Sequence, residues 1–399
     1  MSKLDELIKK LCPNGVEYKT LGEIFDTRNG YTPSTKNSEF WENGTIPWFV
    51  MDDIRKNGHI LAESNQHITE SAIKKSGLFP ANSLIIATSA TIGEHALITK
   101  DFLCNQRFTC LSVKDEFKSK IDMRFMFYYA FKLDDFCIKN QTQSTFASVD
   151  MNKFYVFMFP LPPLPVQEEI VRILDTFTSL TAELTAELTA RRKQYEYYRD
   201  ELLTRETKVE VKKLGDIADI GVGNKPRQIL EEKTEYEYIN AGTTNSGYTS
   251  ITNCEGDTVT TPSRGQGGIG FVGYQKNDFY LGPLCYKIRS FNTKLVMNKY
   301  LFYYLQNNNE KILKIKNTGG VPSVNRADLI NISISFPPLD VQQRIVNVLD
   351  NFDAICTDLK IGLPAEIEAR KKQYEYYRDM LLSFDTIHTN GGGRAEAMK

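Results

Sequence analysis

The sequence is easiest to read through what it lacks. No 18 or more apolar residues run together, so nothing in it is expected to span a membrane. MSKLDELIKKLCPNG at the N-terminus has no apolar stretch bounded by small residues, so no secretory signal is expected. Cysteines stand singly at Cys12, Cys104, Cys110, Cys137, Cys254, Cys285 and Cys356. Their number is odd and no CxxC pair occurs, which fits a reducing cytoplasm better than a disulfide framework. The histidines His59, His67, His95 and His388 are isolated, with no HExxH and no metal-ligand spacing. There is no GxxxxGK[ST] loop, no Asn-Pro-Pro-aromatic signature of an amino-methylating DNA methyltransferase, and no serine or cysteine in a nucleophile's context. GQGGIG (Gly265–Gly270) matches a dinucleotide fingerprint by letter only. It is followed by FVGY, which reads as a strand, where that fingerprint needs a helix. A loop that lets backbone approach a ligand remains open for it. No catalytic, cofactor or metal site is therefore expected in this chain. A basic excess is missing as well: 49 Lys and Arg face 50 Asp and Glu, a net charge of −1. A nucleic-acid-binding surface, if present, must be local or shared with partners.

What the chain has is internal repetition. With 399 residues, 41% hydrophobic and 25% charged, it is long enough for two or three ordinary globular domains. RRKQYEYYRD (Arg191–Asp200) and RKKQYEYYRD (Arg370–Asp379) share nine of ten residues at a separation of 179. VQEEIVRILDTF (Val166–Phe177) matches VQQRIVNVLDNF (Val341–Phe352) at 175, as do PPLP and PPLD, the two FYY triplets, and Ser148-Val149 with Ser323-Val324. VEYKTLGEI (Val16–Ile24) matches VEVKKLGDI (Val209–Ile217) at 193, so between this start and the FYY segment the first copy is longer by 193 − 175 = 18 residues. Within that stretch the two copies share almost nothing. A common scaffold with diverged inserts fits two related binding units with different targets; drift of surface loops is the plainer alternative.

After the extended lead-in of Pro162, Pro163 and Pro165, apolar residues recur at helical spacing. Ile170, Leu174, Phe177, Leu184, Leu188, Tyr195 and Tyr198 form a narrow stripe within roughly 38 residues free of glycine and proline, which predicts a helix of about 57 Å. Such a stripe fits packing on a second long helix. The second copy supplies one through Ile345, Leu349, Phe352, Tyr374 and Tyr377, expected to kink or split at Gly362 and Pro364. TAELTAELTA (Thr181–Ala190) is a tandem tetrapeptide, each unit adding about 6 Å of helix. It reads as a ruler, against the plain alternative of an alanine-rich helix. Arg191, Arg192 and Lys193 read first as a solvated helix face and second as phosphate contacts.

The inserts carry polar and basic loop residues suited to base edges and phosphates. In the first copy these are Asn29, Tyr31, Thr32, Ser34, Thr88, Ser89, Thr91, Gln106 and Arg107. In the second they are Lys225, Arg227, Gln228, Arg264, Gln266, Asn325 and Arg326. Plain surface loops also contain such residues.

Two variable regions, each followed by a helix with PPLxVQxxIVxxLDxF at its start and KQYEYYRDxLL at its end, resemble the specificity (S) subunit of type I restriction–modification systems. The TAEL tandem and FWENGTIPW (Phe40–Trp48) resemble the subfamily with such spacer repeats. The resemblance implies an α+β fold of two target recognition domains, 1–165 and 207–339, separated by two long antiparallel helices, 166–206 and 340–384, in a pseudo-two-fold repeat. A low-complexity tail, 385–399, is expected to be disordered. The implied partners are double-stranded DNA, two methyltransferase (M) subunits binding S-adenosylmethionine, and restriction (R) subunits using ATP and magnesium. The implied place is the cytoplasm, with no membrane. The alternatives are an S-like module of a type II enzyme, a self-sufficient enzyme, and a purely structural helical scaffold.

Overall fold

The computed structural model describes residues 2–142, 147–204 and 209–386. The chain divides into two compact units. One holds the described residues up to Ala182 together with those from Ala369 onward; the other runs from Glu183 to Glu368. No helix among the described residues is long and apolar enough to cross a membrane.

In the first unit, Phe25–Asn29, Phe108–Val113, Ser83–Ala87, His95–Ile98 and Ile60–Leu61 lie side by side in that order in a five-stranded sheet. A second sheet places Ile46–Phe49 between His67–Ile68 and Leu103–Cys104, the last pairing parallel. The helix Met123–Lys139 packs its aromatic face on the first sheet, burying Phe125, Phe127 and Tyr128. The strand SLIIA (Ser83–Ala87) is buried throughout, as a central strand covered on both faces must be.

In the second unit, Ala218–Val222, Cys285–Ser290, Thr258–Pro262 and Gly273–Gln275 form a four-stranded sheet in the corresponding order. Tyr236–Ile239 again lies between an antiparallel and a parallel neighbour. The inserts that share almost no sequence therefore share topology and register. Ile85 pairs with Cys110, and Thr260 with Lys287, at matched places in the two ladders. Part of the additional length of the first copy forms the helix Met51–Asn57 and the edge strand Ile60–Leu61.

The first long helix runs Leu164–Thr204. It includes Pro165, which the sequence placed in the extended lead-in. A proline in the first helical turn gives up no intrahelical hydrogen bond, so the helix can start around it. The second long segment is split, into Leu339–Thr357 and Leu363–Leu381. Gly362 sits at the break, where an added Cβ would lie 2.6 Å from the Ala354 carbonyl oxygen.

Each long-helix start is fastened to its unit by the same polar joint. The Gln167 amide donates to the carbonyls of Lys120 (2.8 Å) and Pro162 (2.6 Å) and accepts from the Asp122 N–H (2.9 Å). Gln342 repeats this with Leu295 (2.9 Å), Pro337 (2.8 Å) and Met297 (3.0 Å). Tyr128 donates to Asp175, beside Arg124; Tyr303 donates to Asp350, beside Lys299. Burial and the facing carboxylate push both phenols well above their ordinary range.

The expected tail begins later than its sequence suggests. Val16 donates to the Asp385 carbonyl (2.8 Å), Val16 and Thr386 form a parallel bridge, and Phe384 packs on the first unit's core. The remainder, from residue 387, lies outside the described residues.

Candidate nucleic-acid interface

In the first unit the loops after Phe25–Asn29, after Ser83–Ala87 and before Phe108–Val113 converge at one end of the main sheet. The geometry begins with Gly30, whose absent side chain leaves room for the backbone of Cys104 and Asn105; an added Cβ would lie 2.3 and 2.2 Å from their carbonyl oxygens. Thr32 then donates to Gln106 at 2.6 Å, the Thr88 N–H donates to the Arg107 carbonyl at 3.0 Å, and Thr88 and Thr109 share a hydroxyl hydrogen bond of 2.8 Å. Thr109 in turn donates to Asn29 at 2.9 Å. Ser89 forms a bridge to Ser148. The structure thus brings together Asn29, Thr32, Thr88, Ser89, Gln106 and Arg107.

Some of the residues singled out by sequence serve the framework. Tyr31 turns its hydroxyl to the Ala72 carbonyl (3.1 Å) and the Lys74 N–H (3.0 Å). Thr88 is buried. Thr91 is half-buried in the turn after Ser89, while Ser34 is exposed one turn before the short helix Ser38–Phe40. Sequence reasoning missed Ser148, whose pairing partner is 59 residues away.

The second unit builds the same end from different side chains. Gly223 stands where Gly30 does, with the Leu281 carbonyl so close that a Cβ would meet it at 1.8 Å. Pro33 and Pro226 are both buried behind these glycines. The glycine spacing of 193, shared with the LGEI and LGDI segments, is the signal that could have aligned the loops. Lys225, Arg227 and Gln228 follow, all exposed. Arg264 pairs with Ser323, and the Gly265 N–H donates to the Pro322 carbonyl at 3.0 Å. GQGGIG forms the turn from Thr258–Pro262 into Gly273–Gln275, with no helix after it. Gly268 touches Gly242, so the NAGTTNSG loop joins the same end; a cavity of about 200 Å³ lies beneath, lined by Asn240, Asn245, Thr260 and Gln275.

Asn325 and Arg326 sit at the start of the helix Arg326–Leu329. The Arg326 guanidinium donates to the Ile220 carbonyl at 2.6 Å, which ties it to the sheet. Arg107, Lys225, Arg227 and Arg264 are exposed, and none has an ion pair among the described residues. They supply local positive charge on a chain whose net charge is −1.

The interhelix residues partition between the units. In the first, Ile170 and Leu174 are buried and Phe177 stacks on Tyr377. In the second, Ile345 and Leu349 are buried and Phe352 meets Tyr198 and Tyr195. Leu184 and Leu188 are half-buried, and Tyr374 packs against the first unit's core. The thiols are quiescent: burial raises the pKa of all seven, that of Cys110, Cys137 and Cys285 to about 12. No cluster of three or more metal-ligating side chains occurs among the described residues.

Comparison with known proteins agrees with this fold. The chain is 49% identical over 251 residues to the type I restriction enzyme EcoprrI specificity subunit of Escherichia coli, covering 59% of this chain and 63% of that one, so less than two thirds of that relative is spanned. It is 30% identical over 440 residues to the EcoR124I/EcoR124II specificity subunit of Escherichia coli, covering 98% and 99%. In fold it is similar to the S subunit of a type I restriction–modification system from M. genitalium, with a TM-score of 0.56 at 16% identity over 92% of this chain and 95% of that one. A chain from a solved type I R-M system gives 0.59 at 18% identity, over 93% and 98%. Both repeats, residues 13–191 and 206–369, match the model of the type I restriction modification DNA specificity domain, and the chain belongs to that family.

Proposed function

We propose that each unit presents its loop end to one half of a split DNA site, and that this chain is the specificity subunit that directs a methyltransferase to that site. The observation that carries this is the pair of matched backbone frames with different side chains. Ser89 and Arg264 occupy the same place in their sheets, as do Thr32 and Lys225 after the glycine turn that both copies share. One scaffold holding two different polar surfaces is what reading two different half-sites requires. The exposed cations supply phosphate attraction, and partners add the rest.

In this reading the long helices set the gap between half-sites and dock two M subunits, which bind S-adenosylmethionine and transfer the methyl group. R subunits contribute ATP- and magnesium-dependent cleavage. The chain itself provides recognition and no bond-making group. The relatives are type I subunits, and no observation favours the type II alternative. The test is expression with the methyltransferase subunit of its system in an unmethylated host, with base modifications mapped by sequencing. Two short blocks around a fixed gap are expected. Exchanging residues 25–120 for those of another relative should change one block only; a change in both would count against independent units.

A further inference from the structure

We infer that Ser89 and Arg264 read the same base-pair step of their respective half-sites, and that Arg264 does so as a guanine reader. This rests on the proposal that the loop ends face DNA.

Four backbone contacts around the two residues match. The Thr88 N–H donates to the Arg107 carbonyl at 3.0 Å, and the Ser263 N–H to Leu284 at 2.8 Å. The Thr88 carbonyl accepts from Val149 at 2.9 Å, and the Ser263 carbonyl from Val324 at 2.9 Å. Ser89 bridges Ser148; Arg264 bridges Ser323. The Ala90 N–H donates to Ala147 at 3.0 Å and the Gly265 N–H to Pro322 at 3.0 Å. In both copies the next residue has a positive φ, +66° at Ala90 and +140° at Gly265. A non-glycine residue in that region is uncommon, so Ala90 keeps its conformation because the surrounding bonds impose it.

The scaffold therefore fixes where the chain leaves the sheet and turns, and only afterwards do the loops diverge. The site sits against Ser148 and Ser323, which belong to the part of the repeat that did not diverge. A side chain that differs between the two copies, held on a mount that both share, is how a reading position can change target without moving. Arg264 is exposed, has no ion pair among the described residues, and is long enough to span from the loop to a base edge. Its planar fork matches guanine O6 and N7 in the major groove. Serine at the same mount is short, and suits a less selective contact.

The experiment uses the full chain with its methyltransferase subunit, comparing R264A, R264K and S89R by methylation mapping and by DNA binding across salt concentrations. R264A and R264K should both relax one position of a single half-site, losing roughly tenfold or more in discrimination there. R264K should keep the salt dependence of the parent. S89R should add a guanine preference at the matching step of the other half-site. The assignment is overturned if R264A leaves the motif intact, or if it weakens binding evenly across sequences while the salt slope falls, the mark of a phosphate contact. If the unsubstituted chain directs no bipartite methylation, the underlying reading falls with it.

Discussion

Phe177 stacks on Tyr377, ring centroids 5.3 Å apart and planes 23° from parallel. The pair joins the start of one long helix to the end of the other, 200 residues later in the chain. Phe352 and Tyr198 repeat it at 5.7 Å and 27°. Nothing but the two copies of LDxF and QYEYY is needed to make both joints. Phe177→Ala and Tyr377→Ala should each destabilise the first unit by about 1–3 kcal/mol, and a double-mutant cycle should return a coupling of about 0.5–1.5 kcal/mol. Tyr376, 66% exposed beside it, should tolerate alanine with little change in the urea midpoint.

Gln167→Leu removes three hydrogen bonds at once and leaves the Asp122 N–H and the Lys120 and Pro162 carbonyls facing an apolar side chain. A loss of about 2–5 kcal/mol is expected, since buried groups left unpaired bear their full desolvation penalty. Gln342→Leu should cost the second unit a similar amount, read as a lower melting temperature. A neutral result at either position would show that the joint is dispensable.

Glu169 is 3% exposed and lies between Arg172 and Lys3, which lower its carboxyl pKa to about 2 from an ordinary 4.5. A depressed folded-state pKa gives stability that is fully present above the ordinary value and is lost as pH falls through the folded one. The parent should therefore lose stability relative to Glu169→Gln between about pH 4.5 and about 2, while above that window the parent is the more stable. Chemical unfolding at several pH values checks the sign. Parallel curves would show that the carboxylate is not what anchors the N-terminal helix Lys3–Leu11.

Inserting one TAEL after Leu188 extends the Leu164–Thr204 helix by about 6 Å, close to one or two base pairs at about 3.4 Å each. The methylated motif should keep both half-sites and gain a longer gap. An unchanged gap would sink the ruler reading.

The helices were legible because their signal is local. Apolar residues at helical spacing, the proline lead-in and Gly362 each act within a few residues of themselves. The sheets of the inserts were not. SLIIA reads as a buried strand, but its counterpart TVTTP does not, because its threonines bury hydroxyls whose partners lie elsewhere: Thr258 donates to Glu255, Thr261 to Phe271, and Thr260 accepts from Gln275. Branching at Cβ keeps the strand preference while the hydroxyl hides it from a hydropathy pattern. The same limit applied to the interface. Lys225, Arg227 and Arg264 could be placed on loops from composition alone. That Tyr31 is held by Ala72 and Arg326 by Ile220 depends on contacts across 41 and 106 residues, which no local pattern contains.

The segment Phe384–Thr386, which joins Val16 and Tyr18, also sets an order of events. Residues 183–368 form a unit that is continuous in sequence and can complete its contacts as soon as it has emerged from the ribosome. The other unit is made first but closed last. Tyr18 waits for the carbonyl of Phe384, a partner 366 residues downstream, and Val16 waits for Asp385. Until Phe384–Thr386 have been made, the N-terminal half has an open seam at Val16 and Tyr18, and a segment more than 360 residues downstream seals it.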